Sequence, residues 1–84
     1  MEKMEVLQML ELLNRCKEIN QELDKHIMEN GTNEEISILW SMRPFLIRAN
    51  KLEQQNDING ARFLYTSVND VLSKIETHIY NRNN

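Results

Sequence analysis

Gly31 and Gly60 are the only glycines in this chain, and each sits in a run of turn-forming residues, Asn30-Gly31-Thr32 and Asp57-Ile58-Asn59-Gly60. Punctuation that sparse, with no strand-like alternation anywhere, points to a few long helices joined by short links. Asn30-Gly31 reads as a helix stop in which glycine is free to take positive φ. Thr32 with Glu35 three residues on reads as a capping box that opens the next helix. At the second break, either Asp57 or Asn59 can cap a third helix. The expectation is one domain over residues 1–84, with helices over about 2–30, 33–55 and 59–80 and a frayed polar tail over 81–84.

Apolar spacing supports this division. The first segment carries Met9, Leu12, Leu13, Cys16, Ile19, Leu23 and Ile27, in which steps of three and four place one face of a helix. The third repeats the pattern with Ala61, Leu64, Tyr65, Val68, Leu72, Ile75 and Ile79. The middle segment holds the only proline and the only tryptophan, Pro44 and Trp40. Its stripe is Ile38, Met42, Phe45, Ala49 and Leu52, and the helical phase is kept across Pro44. A break with a reorienting turn has no reason to keep that phase, so the segment reads as one helix kinked near Pro44. The ring forfeits the bond to the Trp40 carbonyl, at a cost of roughly 3 kcal/mol in an interior position. Pro44 shares its angular position with Ser37 and Lys51 and so falls on the polar face, where a bend curves the helix around its core. The fold class is therefore all-α, a three-helix up-down-up bundle, with a helical hairpin that completes its core as a dimer as the alternative.

The apolar residues left off these stripes are the most informative about function. At about 100° per residue, Ile36, Trp40 and Ile47 fall on the side of the middle helix opposite Met42 and Phe45. Leu7 and Leu10 stand off the first stripe and Phe63 off the third. In an up-down-up bundle Ile47, Phe63 and the start of the first helix share one end, so these residues are expected to gather into an apolar surface reaching toward Trp40. A contiguous exposed apolar patch marks an interface, and tryptophan is enriched at interface hot spots.

Charge and composition narrow the partner. The net charge is −3, and seven acids against four bases in residues 1–31 account for all of it. There is no basic stripe, so nucleic acid is not an expected partner. No run approaches the roughly 20 apolar residues a membrane crossing needs, and Glu2, Glu5 and Glu11 interrupt any signal-peptide core. Cys16 is the only cysteine, which fits a reducing, cytoplasmic setting. A chain of 84 residues buries only about 60–65% of its unfolded surface, and a second subunit is one common remedy.

Chemistry is sparse. His26 and His78 lie at stripe edges, and the residues three before them are Leu23 and Ile75, which is not the Glu-x-x-His pattern of helical di-metal sites. Glu22 and His26, four apart, have chelating spacing, but Glu/His pairs at this spacing are common on helices. Cys16 sits in an aliphatic stripe, as a buried inert thiol does. No phosphate loop, metal-ligand spacing or nucleophile elbow occurs. The chain is not expected to be an enzyme, and no cofactor, metal or small-molecule substrate is implied.

One short stretch, Asn20-Gln21-Glu22-Leu23-Asp24, resembles the Ser-Gln-Glu-Leu-Asp motif of small helical-hairpin phosphatases that act on a sporulation response regulator. Asn20 stands in place of the serine, and the stretch falls on the first, long helix rather than on the second helix of a hairpin. The resemblance implies a phosphatase-type regulator of a response regulator as one alternative. The leading expectation is a small cytoplasmic interaction module that binds and regulates or inhibits another protein, as phage-type inhibitors and immunity-like proteins do. Its expected contact residues are Trp40, Ile36, Ile47, Phe63, Leu7 and Leu10. The remaining alternative is a structural homodimer that uses the same surface only for itself.

Overall fold

The computed structural model describes the backbone of residues 2–83 and the side chains of residues 6–83. Three helices account for nearly all of it: α1 over Glu2–Asn30, α2 over Asn33–Gln54 and α3 over Ile58–Asn83. The links are two and three residues long, short enough to turn the chain back on itself at each. The result is an all-α, three-helix bundle.

Local chemistry sets the boundaries. Thr32 Oγ1 accepts from the Glu35 N–H at 3.2 Å, and Glu35 Oε1 accepts from the Thr32 N–H at 2.8 Å, a complete capping box. Asp57 rather than Asn59 caps α3, because its Oδ1 accepts from the Gly60 N–H at 3.0 Å. Neither glycine has positive φ; the left-handed residue is Asn56, at φ 65° in the second link. Gly31 is needed for closeness instead, since a Cβ there would lie 2.6 Å from the Ile27 carbonyl oxygen. The tail is also better held than its composition suggests. α3 runs to Asn83 because Arg82 donates to both carboxylate oxygens of Glu35 at 3.0 Å and to the Asn30 carbonyl at 3.3 Å. Asn84 lies outside the described residues. α2 continues through Pro44 without interruption, and Pro44 is exposed, on the wet side that the phase argument assigns to it.

α3 is the central helix. It packs along both α1 and α2, which touch each other only sparsely. The molecule is elongated, with extents of 46 × 24 × 15 Å. Its core has two parts. One joins Leu23, Ile27, Leu39, Val68, Leu72, Ile75 and Ile79. The other, at the end nearer the second link, joins Leu13, Ala49, Ala61 and Tyr65, where the two alanines let α2 and α3 approach closely. Asn20 sits among these residues at 3% exposure. Its amide donates to the Tyr65 carbonyl at 3.1 Å and its oxygen accepts from Asn69 Nδ2 at 3.0 Å. A buried amide so paired avoids the desolvation penalty of an orphan group.

The rotation of two helices differs from the periodicity reading. In α1 the buried row is Leu13, Asn20, Leu23 and Ile27, while Leu12 and Ile19 are exposed. In α2 the buried row is Leu39 and Ala49, flanked by Met42 and Leu46, while Ile38 and Phe45 are nearly half exposed. Each stripe is wider than the single main neighbour, α3, can cover. In α3, whose single buried face meets both α1 and α2, the expected stripe is buried as read, with Leu64 half-buried.

Candidate protein interface

The rotation of α2 decides where its exposed apolar residues point. Steps of about 100° per residue put Ile38 and Phe45 on one flank of the buried row and Trp40 and Ile47 on the other, about 160° apart. Trp40 is 53% and Ile47 61% exposed. Ile36, expected beside them, instead packs half-buried against the core around Ile27 and Leu39. The buried face of α2 is turned away from Ile38 and toward Ile36, and this corrects the grouping. Leu10 is half-buried and Leu7 exposed on α1. Phe63 is 71% exposed but belongs to a different face, where it lines a groove with Met42 and Phe45. The single surface expected from the sequence is therefore two.

On the first of these surfaces Trp40 is not bare. The Arg43 guanidinium lies 4.0 Å from its ring centroid, a stacked cation–π contact. Arg43 Nη2 in turn reaches Asp24 of α1 at 3.4 and 3.5 Å. The chain Asp24–Arg43–Trp40 thus ties the indole to the neighbouring helix and holds its orientation.

On the second surface, α2 and α3 form an apolar groove of about 290 Å³ lined by Met42, Phe45, Phe63, Leu64, Val68 and Val71. Ser67 is the one polar residue in its lining. The Ser67 hydroxyl donates to the Phe63 carbonyl at 2.8 Å, so the groove can lose its water without stranding that group.

A third depression, of about 270 Å³, lies over α3 between α1 and α2 and is polar, with Lys17, Asn20, Gln21, Asp24, Leu46 and Tyr65 around it. Its two charged residues are each paired elsewhere, Lys17 with Glu53 and Asp24 with Arg43. Lys17 Nζ meets Glu53 Oε1 at 3.0 Å, and the Tyr65 hydroxyl donates to the same oxygen at 3.2 Å. Burial first, and then the Glu53 charge, push the Tyr65 hydroxyl up to about 12. Cys16 is half-buried nearby, and burial, aided by the Asp70 charge, pushes its thiol up. That is the reverse of what activates a nucleophilic cysteine. Among the described residues no three His, Cys, Asp or Glu side chains lie close enough together to hold a metal ion. No helix among the described residues is long and apolar enough to cross a membrane.

In the stretch that resembles a phosphatase motif, Asn20 and Leu23 are buried, Asp24 is engaged with Arg43, and Gln21 and Glu22 are exposed. No family model matches the chain, no curated protein matches it, and no solved structure matches its fold.

Sequence reading located Trp40, Ile47 and Phe63 as exposed apolar residues but missed what surrounds them. The Asp24–Arg43 pair spans two helices and has no local signature. Periodicity puts Phe45 in the core, because its phase matches Met42 and Ala49, whereas the structure leaves it nearly half exposed. A signal for Asn20 was present: it lies seven residues from both Leu13 and Ile27, a polar residue on a core row.

Proposed function

We propose that this chain is a small protein-binding module that regulates or blocks another protein, and that it does so through the edge of α2 carrying Trp40 and Ile47. The observation that carries this reading is the Asp24–Arg43–Trp40 stack. Tryptophan and arginine dominate interface hot spots, and here they stand together, more than half exposed in the case of Trp40 and already ordered. Ordering before binding lowers the entropic cost of association. Ile47, two turns along the same flank, extends the apolar contact. A helix or loop of the partner laid along this edge would cover both side chains and set its own acceptor against the Arg43 guanidinium. The lone, unpaired thiol of Cys16 favours a reducing, cytoplasmic setting for this role.

The test begins with a photo-crosslinking amino acid at position 40, used in the native host to capture the contacting protein. That protein is then titrated, purified, against wild type and Trp40→Ala. Loss of a hot-spot tryptophan should weaken binding by about 30-fold or more. Equal affinity for the two forms would refute the assignment of this edge.

A further inference from the structure

Both glycines of the chain follow an asparagine, Asn30-Gly31 where α1 ends and Asn59-Gly60 in the first turn of α3. In such a pair the backbone nitrogen of the glycine can attack the asparagine side-chain amide, because no Cβ stands over that nitrogen. At the exposed end of α1 three contacts oppose this reaction. The Gly31 N–H donates to the Ile27 carbonyl at 2.7 Å, and Asn30 Nδ2 donates to the His26 carbonyl at 3.1 Å. From the far end of the chain, Arg82 Nη2 donates to the Asn30 carbonyl at 3.3 Å, while its guanidinium is anchored on both carboxylate oxygens of Glu35 at 3.0 Å. The glycine is not replaceable, since a Cβ on Gly31 would lie 2.6 Å from the Ile27 carbonyl oxygen. Packing at the first link therefore retains a labile dipeptide, and an exposed ion pair clamps it from outside.

We propose that Asn30 is a self-modification site gated by the Arg82 clamp: when Arg82 lets go, the end of α1 opens and Asn30 converts irreversibly to aspartate and isoaspartate. Ring closure needs the Gly31 nitrogen aligned with Asn30 Cβ, and helical ψ at Asn30 holds the two apart. Once the helix end opens, the Gly31 nitrogen gives its proton to solvent and attacks Asn30 Cγ. The Cγ–Nδ2 bond breaks, and ammonia leaves with a proton from solvent. Water then adds to the cyclic imide and cleaves one of its two C–N bonds. Attack at Cγ leaves aspartate, and attack at the main-chain carbonyl leaves isoaspartate. Neither product restores the closed end. A carboxylate donates nothing to the His26 carbonyl, and its charge opposes the dipole at the C-terminal end of α1. Isoaspartate also inserts a carbon into the main chain and shifts the Gly31 N–H away from Ile27. Asn59-Gly60 is an internal control. Its Gly60 N–H is held locally by Asp57 Oδ1 at 3.0 Å, about 35 Å along α3 from Arg82. The proposal stands apart from the function proposed for the Trp40 edge, and either can fail without the other.

Peptide mapping by mass spectrometry, on the full chain incubated at mildly alkaline pH, reads conversion at residues 30 and 59 separately. Folded wild type should convert at residue 30 at least about tenfold more slowly than the chain in denaturant, since the reaction waits on local opening. Arg82→Ala should raise the folded rate at residue 30 by about threefold or more and leave residue 59 unchanged. Glu35→Gln keeps an acceptor for the Thr32 N–H but loses the ion pair. It should act in the same direction, and it decides the matter if Arg82→Ala fails to fold. Conversion at residue 30 as fast in folded protein as in denaturant, or at the wild-type rate in both variants, would overturn the gate. Equal acceleration at residues 30 and 59 would overturn it too, because that is global unfolding rather than release of the clamp. No conversion at residue 30 even in denaturant would overturn the site itself.

Discussion

Leu12 and Leu13 are adjacent and chemically identical, and periodicity assigns both to the apolar stripe of α1. The tertiary structure separates them: Leu13 is 1% exposed and Leu12 55%. Replacing each in turn with alanine isolates the consequence of helix rotation. Leu13 packs against Ala49, Ala61 and Tyr65. Leu→Ala at a fully buried site costs about 2–5 kcal/mol, through lost transfer energy and the cavity left behind. The two alanines have no flexible side chains to collapse into that space, so about 3–5 kcal/mol is expected here. Leu12→Ala removes a side chain already half in water, a loss of about 1 kcal/mol at most, partly offset by the better helix propensity of alanine. An 84-residue domain has a total stability of roughly 4–13 kcal/mol, so Leu13→Ala removes a large share of it. With about 4–8 °C per kcal/mol at this size, Leu13→Ala should lower Tm by at least about 12 °C and Leu12→Ala by no more than about 8 °C. Thermal melts followed by circular dichroism measure both, at one fixed protein concentration, because self-association shifts Tm by mass action. Equal losses, or a larger loss at Leu12, would refute the rotation of α1 and with it the position of Asn20.

Three further outcomes follow from the same structure. Pro44 is exposed inside α2 and contributes little to the core, so Pro44→Ala should raise stability by about 1–3 kcal/mol as the bond to the Trp40 carbonyl is restored; a lower Tm would show that the ring packs usefully. The Arg82 guanidinium, followed by the Thr32 N–H, pulls the Glu35 carboxyl from its ordinary 4.5 down to about 2. A depressed carboxylate stabilises the fold above its unfolded pKa, and that stability is lost as pH falls from about 4.5 to about 2. Glu35→Gln should therefore melt below wild type at pH 7 and match it near the acid end of that window, whereas a gap unchanged with pH would exclude the Glu35 charge as its source. Burial together with the Asp70 charge raises the Cys16 thiol, so iodoacetamide should alkylate folded protein at pH 8 much more slowly than protein in denaturant, and equal rates would place Cys16 outside the packed interior.

Much of the architecture is written in short-range signals. Thr32 and Glu35 form their box within four residues, and Asp57 reaches Gly60 over the same span, so helix starts can be read without knowing what packs on them. The kept phase across Pro44 likewise requires only the chain itself, and α2 runs through that residue. The C-terminal end was not legible in this way. Arg82 is held by Glu35 and Asn30, both about fifty residues away in sequence, and a polar tail without that contact reads as frayed.

For the candidate surfaces the division is sharper. Sequence alone determined that Trp40, Ile47 and Phe63 are surplus to the core stripes, because angular position on a helix depends only on residue number. Tertiary structure decided that Ile36 turns inward, that Phe45 turns outward to join Phe63, and that Arg43 covers the Trp40 ring. The physical reason is the width of the stripes. An apolar arc of about 140° on α2 is broader than one neighbouring helix can bury, so which edge stays wet depends on where the neighbours lie. With α3 in the centre and α1 barely touching α2, α2 keeps two open flanks, and the surface that looked single from the sequence became two.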